Sequence, residues 1–219
     1  MKNLLKIFER LYSFYGPQHW WPGETPFEIA VGAILTQNTN WGNVEKAITN
    51  LKAAGLLSPE KLEEIQEGRL AELIRPAGYF NIKAKRLKAF ISLLMNSYQG
   101  SMKKMKKEDL QYLRHKLLEV NGIGPETADS ILLYALGKPV FVIDAYTRRV
   151  LSRHNILPYD APYEEYQRLF HDGLDEDVPL FNEYHALFVR VGKDFCRPKP
   201  RCEDCPLKVF LRPSQSSNP

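Results

Sequence analysis

Apolar residues recur along this chain at intervals of three and four, the period of an α-helix with one buried face. Leu4, Leu5, Phe8, Leu11, Tyr12 and Tyr15 form such a stripe near the N-terminus. Ala84, Leu87, Phe90, Ile91 and Leu94 form a second, and Leu110, Leu113, Leu117 and Leu118 a third. Helix starts are marked as well. Thr25-Pro26-Phe27-Glu28 offers a hydroxyl cap, proline at the first helical position and Glu where a capping box wants it, and an apolar stretch through Ile29, Ile34 and Leu35 follows. Ser58-Pro59-Glu60 opens another helix in the same way. The stretch 127–136 is short and apolar, which predicts a buried helix, and helix is predicted again around 147–153, 163–170 and 181–191. Only Pro139-Val140-Phe141-Val142-Ile143 has strand character. The run is brief and ends in Asp144, so it reads as an extended connector between helices. No internal repeat is visible, and the Ser/Pro-rich tail at 213–219 is expected to be disordered. The fold class expected is all-α.

The 219 residues, 44% of them hydrophobic, suffice for one domain with a sizeable core or two small ones. The formal net charge of +4 is compatible with a nucleic-acid partner without requiring one. No apolar run approaches the length that spans a bilayer, and the N-terminus lacks the apolar core of a signal peptide. A cytoplasmic, nucleoid-associated protein is expected. In a reducing compartment the three cysteines are not expected to form structural disulfides.

The densest chemical signal is Val120-Asn121-Gly122-Ile123-Gly124-Pro125-Glu126-Thr127-Ala128. A helix stops, two glycines turn the chain, and a second helix begins on small residues. Glycine lets backbone N–H groups approach an anion, and the second helix presents its positive end. A DNA phosphate suits such a site and sets register without reading sequence. Taken alone, the same residues describe a plain connector between helices. Asp144 follows 20 residues after Gly124, ahead of a helix carrying Arg148 and Arg149. Taken alone, it would be a helix N-cap.

Together, Val120-Asn121-Gly122-Ile123-Gly124, Thr127-Ala128 and Val142-Ile143-Asp144 resemble the helix-hairpin-helix DNA glycosylases of the endonuclease III superfamily, a likeness that extends from about residue 27 to 205. The resemblance implies a two-lobed helical fold. One lobe would take residues 1–24 and 137–219, the other 25–136. It also implies base excision from double-stranded DNA by a monomer, with DNA contacts from Gly122, Ile123, Gly124, Thr127 and Arg148. In this family the aspartate supports cleavage of the bond between base and sugar. The departing base leaves positive charge on the sugar, which a nearby carboxylate stabilises, and the same group can orient or deprotonate the attacking water. The resemblance assigns that role to Asp144.

Bifunctional members carry, two positions after the second glycine, a lysine that forms a Schiff base with the sugar. Here that position is Glu126, and a carboxylate cannot form the imine. A monofunctional glycosylase that leaves an intact abasic site is expected. Glu126 is equally at home as a solvated acid in a first helical turn. Glu126 together with Trp20-Trp21-Pro22, Leu35-Thr36-Gln37-Asn38-Thr39 and Arg75-Pro76-Ala77-Gly78-Tyr79-Phe80-Asn81 resembles the bacterial 3-methyladenine glycosylases of this superfamily.

Flipping a base out of the duplex costs a few kcal/mol, and something must fill the gap. By resemblance, Gln37 enters the vacated space and Tyr79 wedges from the other strand, exposed by a sharp turn at Gly78. Asn81 and Lys83 follow the wedge and are assigned to DNA, and Lys85 and Arg86 lie within reach of the backbone. The bland alternative has Gln37 bonding backbone and Tyr79 packing on the surface. Lys103, Lys104, Lys106 and Lys107 read as a solvated approach to a helix. Trp20, Trp21 and Trp41 are the only tryptophans, and all lie near these segments. An aromatic face stacks a base for roughly 1–3 kcal/mol. An alkylated, cationic purine gains a cation–π contact besides. The resemblance places Trp41 in the base pocket with Trp20 or Trp21 opposite, and at least one of that pair is expected in the core.

Cys196, Cys202 and Cys205 resemble the C-terminal [4Fe–4S] loop of the family, in which four thiolates hold the cluster. The fourth cysteine is expected at the position of Leu211. Three readings remain: a cluster on three cysteines and a different fourth ligand, which is preferred; a loop that has lost its cluster; or zinc with a nearby His or acid. A cluster would be structural, placing Lys199 and Arg201 near phosphate. His185 reads as a structural hydrogen-bonding residue. The leading function is removal of alkylated purines. The alternatives are a monofunctional glycosylase for a mismatched or oxidised base, and a non-catalytic DNA-binding module.

Overall fold

The computed structural model describes residues 2–211, and the Ser/Pro-rich tail lies outside them. Among these residues every regular element is helical, and none is long and apolar enough to cross a membrane. The chain divides into two compact units. One runs from Trp21 to Lys138; the other combines the residues up to Trp20 with those from Pro139 onward.

In chain order, the first helix is α1 (Lys2–Tyr15), followed by α2 (Pro26–Leu35), α3 (Trp41–Ala53), α4 (Pro59–Glu64) and α5 (Glu67–Leu73). A short 3₁₀ turn (Arg75–Ala77) leads to α6 (Phe80–Tyr98), then α7 (Met102–Met105), α8 (Leu110–Leu118) and α9 (Pro125–Ser130). A π turn (Ile131–Ala135) extends α9, followed by α10 (Ala145–Arg153), α11 (Tyr163–Gly173), α12 (Val178–Asp194) and a last 3₁₀ turn (Lys208–Phe210).

The middle unit is built around α2 and α6. Helix α2 is apolar on all sides and buried through Ala30, Val31, Ile34 and Leu35, as a central helix must be. Thr25 caps it, its hydroxyl accepting from the Glu28 N–H at 3.1 Å. Helix α6 buries the predicted stripe of Ala84, Leu87, Phe90, Ile91 and Leu94 against α4 and α5. The stripe predicted on α8 is only half realised. Leu113 and Leu117 are in the core, whereas Leu118 points outward because the helix ends there and the chain turns.

In the other unit, residues 140–143 run extended and fully buried between helices. Phe141 stacks on Phe170 with ring centroids 3.6 Å apart, and Phe181, Tyr184 and Phe188 surround the pair. Each such ring removed from water contributes about 1.5–3 kcal/mol. The Tyr184 hydroxyl donates to the Leu4 carbonyl at 2.8 Å, tying α12 to α1. Helix α10 packs along α12 in the same unit.

Candidate functional site

In the middle unit the glycine turn joins α8 to α9. The Ile123 N–H closes the turn onto the Val120 carbonyl at 3.0 Å. Gly122 adopts φ +83°, and a Cβ there would run into the side chain of Arg86, so both the backbone and the close approach require glycine. Gly124 precedes α9 with open space beside it. The N–H groups of Gly122 and Gly124 take no part in the backbone hydrogen bonds of the turn. Behind the turn Arg114 of α8 grips the fully buried Asp129 of α9 with two hydrogen bonds, 2.8 and 3.2 Å long. That fork holds the two helices at a set distance.

Two residues assigned to DNA here prove to be internal. Ile123 is buried, with its N–H engaged in the turn, so it anchors the hairpin. Thr127 is buried, and its hydroxyl accepts from the Gln37 amide at 2.9 Å. Glu126 is exposed in the first turn of α9, where an acid complements the helix dipole.

Gln37 follows the C-terminus of α2. Its amide also donates to the Gly122 carbonyl at 3.0 Å, and its carbonyl oxygen accepts from Arg86. In this state the side chain bonds backbone and hairpin, as the bland alternative has it. Tyr79 is different. Gly78 (φ +69°) and Tyr79 itself (φ +48°) turn the chain left-handed, and the phenol stands 69% exposed at the tip. Asn81 is exposed in the next turn, at the start of α6. Lys83, expected on the DNA backbone, is instead buried, because its ammonium donates to the carbonyls of Leu35 and Ala77 at 2.8 and 2.7 Å.

The neighbouring indoles separate. Trp21 meets Trp41 edge to face at 5.4 Å, and Tyr134 of the π turn lies 5.1 Å from Trp21. Tyr134 gave no sequence signal beyond lying in an apolar stretch. Trp41 also borders an open depression with Pro22, Glu24, Glu28, Glu45 and Lys52. Lys52 pairs with Glu28 and Glu24 at 3.0 and 3.1 Å. Trp20 belongs to the other unit, with the Lys193 ammonium 6.0 Å from its ring.

In that unit Asp144 caps α10, one carboxylate oxygen accepting from the Thr147 N–H at 2.7 Å. The second oxygen lies 3.6 Å from Nε2 of the buried His185. Burial resists ionisation of this carboxyl. The nearby His185 and the Thr147 N–H outweigh it and hold Asp144 below the usual carboxylate range. The cap reading of Asp144 is realised, and its second oxygen stands beside His185. His185 faces the aspartate at 3.6 Å, just beyond hydrogen-bond length, and that pairing was not visible from the chain order. Arg148 also bonds within its unit. Its Nη1 donates to the Tyr159 and Ala161 carbonyls and the guanidinium lies 4.8 Å over the Tyr166 ring, so it braces a loop.

Cys196, Cys202 and Cys205 line one small cavity of about 20 Å³ together with His154 and Leu211. Burial pushes the Cys205 thiol up, and the nearby Cys196 and Cys202 add to the rise. Burial holds the His154 imidazole below its usual value, and its Nδ1 is buried without a partner. Among the described residues no three His, Cys, Asp or Glu side chains are gathered closely enough to hold a metal ion. Three thiols and an unengaged imidazole nitrogen are nonetheless donors of the kind an iron–sulfur cluster accepts.

Residues 31–176 match the family model of the HhH-GPD superfamily base excision DNA repair proteins. A candidate DNA repair glycosylase of Methanocaldococcus jannaschii is 49% identical over 209 residues, 94% of each chain. The Helicobacter pylori 3-methyladenine DNA glycosylase, solved with 1,N6-ethenoadenine bound, is 31% identical. The match covers 87% of this chain and 97% of that one, with a TM-score of 0.75. An endonuclease III solved in a non-covalent complex with DNA has a TM-score of 0.81 at 19% identity, covering 96% of this chain and 94% of that one, a likeness of fold.

Proposed function

The chain belongs to the HhH-GPD superfamily of base excision DNA repair proteins, and from that premise we propose that it is a monofunctional, monomeric glycosylase that hydrolyses the N-glycosidic bond of an alkylated purine such as 3-methyladenine. The observation that carries the chemistry is Asp144. Its carboxylate is largely buried, held ionised, and fixed through one oxygen by the α10 cap. A fixed negative charge in a water-poor site favours the oxocarbenium-like sugar over the neutral ground state. The other oxygen, beside His185, would accept a proton from an attacking water. No lysine follows the hairpin at the position of Glu126, so base release ends at hydrolysis.

The paired indoles Trp21 and Trp41 support a cationic base. A ring face attracts positive charge, which a neutral base lacks. The acids beside Trp41 add to that preference. The Gly122 and Gly124 amides, with the start of α9, grip phosphate, and Tyr79 wedges the opened duplex while Gln37 leaves its hairpin bonds to enter the gap. Cys196, Cys202, Cys205 and His154 would hold a [4Fe–4S] cluster. When bound it would staple the C-terminal loop, leaving Lys199 and Arg201 to face phosphate.

Duplexes each carrying one lesion test this reading. Release of 3-methyladenine, with strand breakage only after alkali, is the expected result. Breakage before alkali would remove the monofunctional claim. Release confined to a mismatched or oxidised base would replace the substrate, and no release from any lesion would leave a DNA-binding module.

A further inference from the structure

The buried ammonium of Lys83 has no part in the chemistry above, yet it sits where two functional turns leave their helices. Its Nζ donates to the carbonyl of Leu35, the last residue of α2, and to that of Ala77, the last residue of the 3₁₀ turn. Two residues beyond each carbonyl stand Gln37 and Tyr79. The backbone N–H of Lys83 also donates to the Tyr79 carbonyl at 3.0 Å. A helix C-terminus is electronegative, so a cation there is well matched. Three residues on, Arg86 bonds Gln37 and packs under Gly122. One face of α6 thus holds the Gln37 turn, the Tyr79 turn and the hairpin.

We propose that Lys83 is a positioning residue that sets the spacing between the Gln37 and Tyr79 turns, so that both enter the duplex in a single preset geometry. The inference rests on the reading that these two side chains insert into DNA. A lysine is costly to bury: desolvation, with the Arg86 charge adding to it, brings its ammonium down to about 8. An apolar side chain would fill the same space without that cost. What it could not do is bond two carbonyls 42 residues apart in sequence at once. Lys83 reaches no DNA itself, being 1% exposed.

The test uses a duplex with 2-aminopurine opposite a stable abasic analogue, whose fluorescence reports insertion without knowledge of the lesion. Lys83→Met keeps the aliphatic stem and removes both bonds. It is expected to lower the insertion equilibrium roughly ten- to hundredfold, the scale of a misplacement of about 1 Å, while affinity for undamaged duplex is unchanged. In a Gln37→Ala/Tyr79→Ala background the same substitution should add almost nothing, because the loops it positions no longer insert. A merely structural lysine would lower both backgrounds alike, and that additivity overturns the proposal, as does wild-type insertion by Lys83→Met. If Gln37→Ala/Tyr79→Ala alone inserts like wild type, the insertion reading itself fails and the proposal falls with it. Lys83→Gln, which retains one NH₂ on a shorter chain, is expected between wild type and Lys83→Met and takes its place should the latter melt below assay temperature.

Discussion

Lys83→Met also makes a thermodynamic prediction with a definite sign. The lysine titrates near 10.5 when solvated and at about 8 in the folded protein. Between those values the unfolded chain binds more protons than the folded one, so stability must rise with pH across the window. The gap is about 2.5 pH units, and at 1.36 kcal/mol per unit it amounts to about 3 kcal/mol. Near pH 7 two effects oppose each other. The substitution relieves a buried charge worth about 3 kcal/mol, but leaves the Leu35 and Ala77 carbonyls without their donor at about 1–3 kcal/mol each. The two proteins should therefore be similar in stability at neutral pH. The informative quantity is the difference between them as pH rises. Urea unfolding of wild type and Lys83→Met at pH 7, 8, 9 and 10 gives that difference, with all other titrating groups cancelling. Wild type should gain most of the 3 kcal/mol relative to the variant. A difference that stays flat to within 1 kcal/mol would refute the buried-ammonium reasoning.

Asp144→Asn should keep the α10 cap, since Asn caps as well as Asp, and should keep duplex affinity while losing most base release under single turnover. Asp144→Ala should lose the activity and about 1 kcal/mol of stability as well. Because the Asp144 pKa is depressed, the carboxylate stays charged as pH falls through the ordinary carboxylate range, and the acid limb of a wild-type pH–rate profile should lie below it. Asp129→Asn removes the buried carboxylate that the Arg114 guanidinium grips. It should cost about 3–5 kcal/mol in a melt and weaken binding to undamaged duplex through the loosened hairpin. Anaerobically reconstituted protein should carry iron, with histidine nitrogen coupling in its reduced paramagnetic spectrum that disappears in His154→Cys. Iron content equal in wild type and His154→Ala would exclude His154 as a ligand.

Much of this molecule is legible along the chain. Periodicity placed the helices, because an amphipathic helix must repeat its apolar face every three or four residues whatever it packs against. Thr25 and Ser58 marked their helix starts because capping is a local bond, made to an N–H three residues away. The two glycines and Asp144 stood out because few residue types can perform those tasks. The limit was reached at side chains whose partners are far off in sequence. Lys83, Arg148 and Thr127 look like DNA contacts in order of residues, being polar and next to functional segments. Each also bonds inside the fold: Lys83 to a carbonyl 48 residues away, Thr127 to an amide 90 residues away, and Arg148 to the loop beyond its own helix. The same distance hid the pairing of His185 with Asp144 and the separation of Trp20 from Trp21. The sequence by itself determined the helices, the hairpin and the chemistry on offer. Tertiary structure alone decided which polar groups are consumed in holding the fold and which stay open to DNA, because a buried donor bonds whatever acceptor folding brings within about 3 Å, and nothing in a local pattern names that acceptor.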